Sequence, residues 1–140
     1  MDTPLLAISI HEHPEPCKAL EAALGDLSVE TYFVKGLPAA RDLIAQYQPL
    51  LVFVELAIWN RSHAEIVHLA GAADPYFNIV VVGSVPDIEM YVSAIEQGAF
   101  EFIAAPFAPE TLTRVVQSAV KDARSCRESL ARVSLHPVAE

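Results

Sequence analysis

The chain has 140 residues, of which 53% are hydrophobic, and a formal net charge of −9. This length and composition predict one domain that buries enough apolar surface to fold without disulfides or a structural metal. Residues 1–111 hold four bases against fifteen acids, whereas residues 112–140 hold five bases against three acids. Because phosphate backbones and anionic lipids require a Lys and Arg footprint, we expect the main domain to bind neither nucleic acid nor a membrane surface directly.

The two cysteines, Cys17 and Cys126, show neither the pattern of a disulfide framework nor the spacing of metal ligands, which favours a reducing compartment. The start of the sequence lacks the basic flank of a secretion signal, and its apolar runs are far shorter than a membrane span. We therefore expect a cytoplasmic protein.

Short apolar runs alternate with longer segments in which apolar residues recur three and four positions apart. The short runs predict strands at residues 5–10, 29–34, 50–54, 79–82 and 100–104. The longer segments are typical of amphipathic helices, and Pro14, Pro38 and Pro86 stand near their predicted starts. The order βαβαβαβαβα predicts an α/β fold, a five-stranded parallel sheet with helices on both faces.

The last predicted helix differs from the others, because its apolar residues keep a strict four-and-three spacing over three heptads. These positions are Leu112, Val116, Ala119, Ala123, Cys126, Leu130 and Val133. A sustained period of 3.5 residues marks a seam against another helix. Two interpretations stay open, a core-facing helix with a solvated tail and a dimerising or signalling helix. We expect only the part beyond about Val120 to leave the sheet, which divides the chain into a domain at residues 1–122 and a helix extension and tail at 123–140.

Polar residues follow three of the predicted strands, at the edge of the sheet where the ligand crevice of a parallel α/β fold lies. They are His11, Glu12 and His13 after the first strand, Glu55 after the third and Ser84 after the fourth, whereas Ala105-Pro106 follows the fifth. None of the five glycines forms a G-x-G pair, so the dinucleotide fingerprint and the Walker phosphate loop are absent. A small flavin or nucleotide carrier on this fold remains a third class, which the absorbance of the purified protein would reveal.

Three stretches resemble the receiver domain of two-component response regulators, over about residues 4–122. They are S-I-H-E-H-P at 9–14, P-L-L-V-F-V-E-L at 49–56 and, most specifically, A-I-E-Q-G-A-F-E-F-I-A-A-P-F at 94–107. The resemblance implies the flavodoxin-like receiver fold with sheet order 2-1-3-4-5. It also implies a cis bond at Ala105-Pro106 and an interaction surface made of the fourth helix, fifth strand and fifth helix.

The same resemblance assigns family positions to individual residues. His11 and Glu12 align with the acidic pair that holds Mg²⁺, and Glu55 aligns with the phosphoacceptor Asp. The remaining matches are Ser84 at the Ser/Thr position, Phe102 at the aromatic switch and Ala105 at the Lys position. Val85 is bulkier than the small residue that the family usually carries at this position. Trp59 and His63 stand where the family's active-site loop commonly carries Pro and Gly.

These departures from the family pattern argue against phosphotransfer. Glu55 is one methylene too long, which displaces an attacking oxygen by roughly 1 Å and costs about a hundredfold in rate. His11 removes an oxygen ligand from a site whose usual metal prefers oxygen alone. Ala105 removes the cation, and no Lys or Arg occurs anywhere in residues 62–113. We therefore expect a receiver-like signalling module that is not an enzyme, is not phosphorylated in the usual way and needs neither Mg²⁺ nor another cofactor.

Several alternatives stay open at this point. One is a working Mg²⁺-dependent phosphoacceptor, and another is a pH- or metal-sensing variant that uses His11, Glu12 and Glu55. Glu55 is also a candidate mimic of a phosphorylated Asp. The expected partners are proteins, among them a histidine kinase, an output domain that follows the last helix, or a second copy that forms a homodimer.

Overall fold

The computed structural model describes residues 5–72 and 76–135, and for residues 14–17, 72 and 130–135 it describes the backbone alone. Within this part of the chain, strands and helices alternate in the predicted order. They are β1 (Leu5–His11), α1 (Pro14–Asp26), β2 (Val29–Lys35), α2 (Leu37–Tyr47), β3 (Leu51–Glu55), α3 (Leu56–Ala72), β4 (Asn78–Gly83), α4 (Ile88–Glu96), β5 (Glu101–Ala104) and α5 (Pro109–Leu135). The side chains of Cys17, Leu130 and Val133 lie outside the described residues.

The five strands form one parallel sheet in the order β2-β1-β3-β4-β5, which confirms the predicted fold class and topology. Every residue of β3 and β4 is buried, as expected for solidly apolar central strands, whereas β2 at the edge is mostly half-exposed. The register aligns Ile10 of β1 with Val54 of β3, so these two strands end side by side.

Two apolar layers cover the sheet, because alternate residues of each strand point to opposite faces. On one face, Ile8, Val52 and Val81 belong to a cluster that includes residues of α2, α3 and α4. On the other, Ala7, Phe53 and Val82 lie in a cluster that α1 and α5 complete. The functional edge of the sheet is therefore held between two packed helical layers.

Of the three prolines expected near helix starts, two lie inside the first turn of a helix and the third lies just before one. Pro14 begins α1 and Pro38 is the second residue of α2, where a missing N–H costs little. Pro86 precedes Asp87, which caps α4 by accepting hydrogen bonds from the amides of Glu89 and Met90 at 3.0 and 3.2 Å.

Helix α5 packs against the sheet beyond Val120, the residue near which we expected it to leave. Leu112, Val116 and Ala119 are buried in the layer against the sheet, and Ala123, which lies beyond the predicted exit near Val120, is fully buried too. Cys126 is half-exposed, and burial is the main cause that raises the pKa of its thiol. The seam positions from Leu112 to Ala123 therefore pack against the chain's own domain.

Polar contacts explain why α5 remains attached. Arg127 donates from Nε to the carbonyl of Tyr76 at 2.7 Å and from Nη2 to the carbonyls of Gln48 and Pro49 at 3.1 and 2.7 Å. Buried Asn78, the first residue of β4, donates to the α5 carbonyl of Ala119 at 2.9 Å. These bonds join α5 to the amino-terminal edge of the sheet, and those of Arg127 lie one turn beyond Ala123, which is fully buried.

Among the described residues, no helix has both the length and the apolar character needed to cross a membrane.

Candidate functional site

The carboxyl ends of β1 and β3 bring Glu55 next to the loop between β1 and α1. Glu55 is the last residue of β3 and is only 8% exposed, although it carries a carboxylate. Burying such a charge is unfavourable unless it is hydrogen-bonded or paired. The Glu55 carboxylate therefore needs hydrogen-bond partners within the protein in place of water.

The β1–α1 loop supplies the partners of that carboxylate. Glu55 Oε1 accepts hydrogen bonds from the backbone amides of Glu12 at 2.6 Å and His13 at 3.3 Å. Glu55 Oε2 lies 3.0 Å from His13 Nδ1. The longer side chain of Glu, compared with Asp, lets it reach across from β3 to this loop, so both oxygens are engaged within the protein.

A cation that the sequence analysis did not place at the site approaches from α3. Arg61 forms a two-pronged ion pair with Glu12, in which Nη1 lies 3.2 Å from Oε2 and Nη2 contacts Oε1. The hydrogen bond from Arg61 is the main cause that holds the pKa of the Glu12 carboxyl below its ordinary value. Arg61 is the last base before the base-free stretch 62–113, and its position about two turns after Glu55 was the available signal.

We expect Arg61→Gln to raise the pKa of Glu12 toward its ordinary value, because the variant removes the guanidinium that favours the charged carboxylate. In the wild type, the stability from this pair is present above the ordinary pKa of Glu12 and is lost as pH falls through the lowered value. An NMR titration of the Glu12 carboxyl carbon measures the change. Arg41→Gln removes a similar exposed pair with Glu65 and should leave Glu12 unaffected, so equal titrations in both variants would contradict the assignment.

His11 is not brought to Glu55, although the sequence analysis placed it beside Glu12 and Glu55. Its ring packs edge-on against Phe33 on the neighbouring strand β2, with the centroids 6.1 Å apart. Its buried Nδ1 has no hydrogen-bond partner among the described residues. His11 is the last residue of β1, whereas His13 lies in the loop after the strand and takes the place next to Glu55.

The carboxyl ends of β4 and β5 hold the remaining predicted residues. Ser84 is exposed after β4, whereas Phe102 is buried in β5. The ring of Phe102 covers Gly83 so closely that a Cβ on that glycine would lie 2.8 Å from its Cζ atom. The Ala105-Pro106 bond is cis, as the family resemblance implied, and Ala105 is half-exposed.

Helix α3 begins at Leu56, directly after β3, so Trp59 and His63 lie in a helix and not in a loop. Trp59 is fully buried and its Nε1 donates to Gln97 Oε1 at 2.8 Å. His63 packs near its ring, with the centroids 5.7 Å apart. Ser62 interrupts the helix with a φ of −134°. The bulky residues at these positions therefore contribute to the core.

The site brings a nitrogen ligand and two carboxylates together. Glu12, His13 and Glu55 each offer one atom, and these atoms lie within 4.8 Å of one another. All three groups are already paired within the protein, Glu12 with Arg61, and His13 and Glu55 with each other. In this arrangement Glu55 fastens the β1–α1 loop to β3, and Glu12 fastens the same loop to Arg61 of α3.

The amino-acid sequence of this chain is similar to those of two regulatory proteins. No family model matches the sequence. It is 21% identical over 115 residues to the response regulator protein PilR of Pseudomonas aeruginosa and 24% identical over 123 residues to the nitrogen assimilation regulatory protein NtrX of Azorhizobium caulinodans. These matches cover 82% and 85% of this chain but 26% and 27% of the relatives, so the chain spans about a quarter of their length.

The fold is also similar to that of solved receiver domains. The receiver domain of NtrX from Brucella abortus superposes with a TM-score of 0.67 at 24% identity, over 82% of this chain and 98% of that one. The chain is therefore similar in sequence to response regulators and has the fold of a receiver domain.

Proposed function

We propose that this domain works as a signalling and interaction module of a two-component system without the usual phosphorylation of its third strand. The observation that supports the proposal is the bonding of Glu55. Both of its oxygens are engaged by the β1–α1 loop, at 2.6 and 3.3 Å from two backbone amides and 3.0 Å from His13 Nδ1. A carboxylate held in this way supports the loop and is poorly placed to attack phosphorus.

Phosphoryl transfer depends on position and on charge neutralisation. The extra methylene of Glu55 shifts the attacking oxygen by roughly 1 Å, which is worth about a hundredfold in a positioned reaction. The hydrogen bonds that the Glu55 carboxylate accepts from the amides of Glu12 and His13 add a second cost, because they would have to break before the oxygen turned toward a phosphoryl donor. Both effects act in the same direction and favour an inactive acceptor.

The residues at the family's Mg²⁺ position fit that ion poorly. Mg²⁺ prefers six oxygen ligands in octahedral geometry. Here Glu12 is paired with the Arg61 guanidinium, Glu55 is engaged by the loop, and the neighbouring ligand atom is a His13 nitrogen. We propose that the Arg61 guanidinium balances the charge of Glu12, that the His13 ring nitrogen pairs with Glu55 in place of a metal, and that the module needs no cofactor.

The product of a phosphorylation would also lack a cation to hold it. The family's Lys position is Ala105, and residues 62–113 contain no Lys or Arg. The guanidinium of Arg61 is close in space but is used by Glu12. An increase in negative charge at Glu55 would therefore be resisted by electrostatic repulsion from Glu12.

The proposed partners are proteins, with a histidine kinase and an output domain as the candidates that the resemblance implies. A homodimer through α5 would have to use the part of the helix after Ala123, because the seam positions up to that residue are buried against the domain's own sheet. Light scattering at high micromolar concentration measures whether this dimer forms, and a monomer would count against it.

The proposed function is tested by titrating the ¹⁵N-labelled protein with Mg²⁺ and beryllofluoride. We expect no saturable shift of the amides of Glu12, His13, Glu55 and Ser84, because the carboxylate is engaged and the retaining cation is missing. Glu55→Asp supplies the matched comparison. Its shorter carboxylate loses its reach to the loop, so the amides of Glu12 and His13 should move to positions typical of solvated N–H groups.

Saturable shifts in the wild type that vanish in Glu55→Gln, but persist in Glu65→Gln, would establish a working phosphoacceptor and overturn the proposal. Zn²⁺ is a further arm of the same titration. Shifts of the His13 ring and the surrounding amides with Zn²⁺, absent in His13→Ala, would replace the proposed metal-free module by a metal-sensing one.

A further inference from the structure

The turns of α5 after Ala123 are attached to the domain mainly by polar contacts. Ala123 is fully buried, whereas none of the described side chains at residues 124–129 is buried. Within this range, the hydrogen bonds that the described residues form with other elements are those of Arg127. In water, a helix end without tertiary packing has little stability of its own. The position of these turns therefore depends on Arg127.

Three backbone carbonyls receive the guanidinium of Arg127. Its Nε donates to Tyr76 O at 2.7 Å, and its Nη2 donates to Gln48 O at 3.1 Å and to Pro49 O at 2.7 Å. The Arg127 latch is defined here as this guanidinium and these three carbonyls. Hydrogen bonds from a charged donor are stronger than those between neutral groups, so a few of them suffice to hold a helix end.

The backbone turn at Gln48 shapes two of these acceptors. Gln48 ends α2 in the left-handed conformation, with a φ of 51°, and its amide donates to Ile44 O at 2.9 Å. This conformation is unfavourable for a residue with a Cβ. Pro49, which is buried, disfavours the right-handed helical alternative for Gln48. The turn brings two consecutive carbonyls to one nitrogen of Arg127.

The acceptors of the Arg127 latch belong to the central part of the sheet. Gln48 and Pro49 lie shortly before β3, and Tyr76 lies shortly before β4. The amide of Asn78 donates to Leu50 O at 3.0 Å, which ties these two segments together. Every residue of β3 and β4 is buried. The latch therefore connects a loosely packed helix end to the two most buried strands of the domain.

A guanidinium fits this site better than an ammonium group. The Nε and Nη2 atoms of Arg127 are fixed in one plane and reach acceptors in two different loops, whereas Lys ends in a single nitrogen on a flexible stem. Burial is the main cause that lowers the pKa of Arg127, and the charge of Arg124 contributes to the same direction. An Arg side chain stays charged in a protein even so. The latch is therefore held by charged donors at every pH near neutrality.

We propose that the Arg127 latch gives the last turns of α5 two states, docked on the sheet and released. In the docked state the turns after Ala123 are a rigid part of the domain and point in one direction. Release breaks the three hydrogen bonds and uncovers no buried side chain of the described residues 124–129, so it happens without unfolding the domain. The signalling meaning of the two states rests on the proposed function, because a segment or partner at the end of α5 would sense the helix direction.

The test compares amide hydrogen exchange in the full 140-residue protein and in Arg127→Gln, which removes the charge and the fork of donors. In the wild type, the amides of residues 124–129 should exchange faster than those of β3 and β4, as expected of a local opening. In Arg127→Gln their exchange should accelerate at least roughly tenfold, because three hydrogen bonds from a charged donor are lost. The amides of β3 and β4 should keep their rates, since the latch opens without them.

Residual dipolar couplings of the backbone N–H groups report the direction of the helix end. In the wild type, the couplings of residues 112–123 and 124–129 should fit one orientation, that of the docked state. In Arg127→Gln, the couplings of residues 124–129 should shrink by averaging over several directions, whereas those of residues 112–123 should keep their values. This measurement separates a change of direction from a change of stability.

Further variants separate the geometry of the latch from its charge. Arg127→Lys should accelerate exchange at residues 124–129 nearly as much as Arg127→Gln, because one ammonium group cannot reach the carbonyls of both loops. Gln48→Gly keeps the carbonyl and adopts the left-handed conformation readily, so exchange should stay at its wild-type rate. Arg124→Gln, at an exposed base on the same helix, is the matched control and should also leave the rate unchanged.

Three results would overturn the proposal. The first is unchanged exchange at residues 124–129 in Arg127→Gln. The second is equal acceleration in β3 and β4, or an Arg127→Gln protein that does not fold, since either would make Arg127 a support of the whole domain. The third is wild-type exchange in Arg127→Lys, which would show that charge alone holds the helix end. None of these results bears on Glu55, so the beryllofluoride titration tests the proposed function separately.

Discussion

Trp59→Ala should lower the free energy of unfolding by about 3–5 kcal/mol, the range for truncating a large buried aromatic side chain. Trp59 is completely buried between the sheet and α3 and is among the largest fully buried side chains of the described chain. Its removal leaves a cavity and takes away the donor to Gln97 Oε1 at 2.8 Å. Urea unfolding followed by far-UV circular dichroism is the measurement, because Trp59 is the only tryptophan and the variant loses its fluorescence.

Trp59→Phe is the matched control. It keeps most of the apolar packing and removes the Nε1 donor, so its loss should be smaller, about 1–2 kcal/mol. A loss below about 1 kcal/mol in the alanine variant would show that the residue is not packed as described. That result would also reopen the family resemblance's implication that Trp59 and His63 lie in an active-site loop.

Asn78→Ala should destabilise the domain by about 1–3 kcal/mol, because it removes a buried group that forms several hydrogen bonds. Asn78 is 2% exposed, donates to Ala119 O and to Asp122 Oδ2, each at 2.9 Å, and accepts from the Tyr76 hydroxyl at 2.7 Å. Unfolding in urea measures the loss. Hydrogen exchange should show reduced protection in α5 around residues 119–127, where these bonds and those of Arg127 attach the helix.

A double-mutant cycle with Asp122→Ala separates the bond to Asp122 from the other contacts of Asn78. Asp122 is exposed, so its single substitution should cost little by itself. A coupling of about 0.5–3 kcal/mol between the two changes is expected for residues in direct contact. Strict additivity, with unchanged hydrogen exchange in α5, would refute the contribution of Asn78 to holding the helix.

The attachment of α5 bears on how its heptad spacing is interpreted. The heptad spacing alone is compatible with a seam on the domain and with a seam between two helices, since both need the same apolar stripe. Burial of Ala123 and the bonds of Arg127 settle the stripe's first half, which faces the sheet. Dimerisation through the later half stays a prediction.

The sequence by itself determined the fold class, the strand order through the family resemblance, and the edge of the sheet at which Glu55 lies. Local patterns sufficed because solid apolar runs and three-and-four spacing are properties of neighbouring residues. The tertiary structure alone decided which polar groups meet Glu55. His11 and His13 are two positions apart in sequence, but the strand continues through the first and ends before the second, so only His13 reaches the carboxylate.

The tertiary structure also decided the positions of Arg61 and Trp59. Arg61 meets Glu12 across 49 residues of chain, and Trp59 becomes a core residue because α3 begins without an intervening loop. Such pairings depend on how helices pack on the sheet, which no local spacing encodes. The shortage of bases, visible in the composition, therefore acquired its meaning from the fold, because the last base before the gap is already paired with Glu12 at the site.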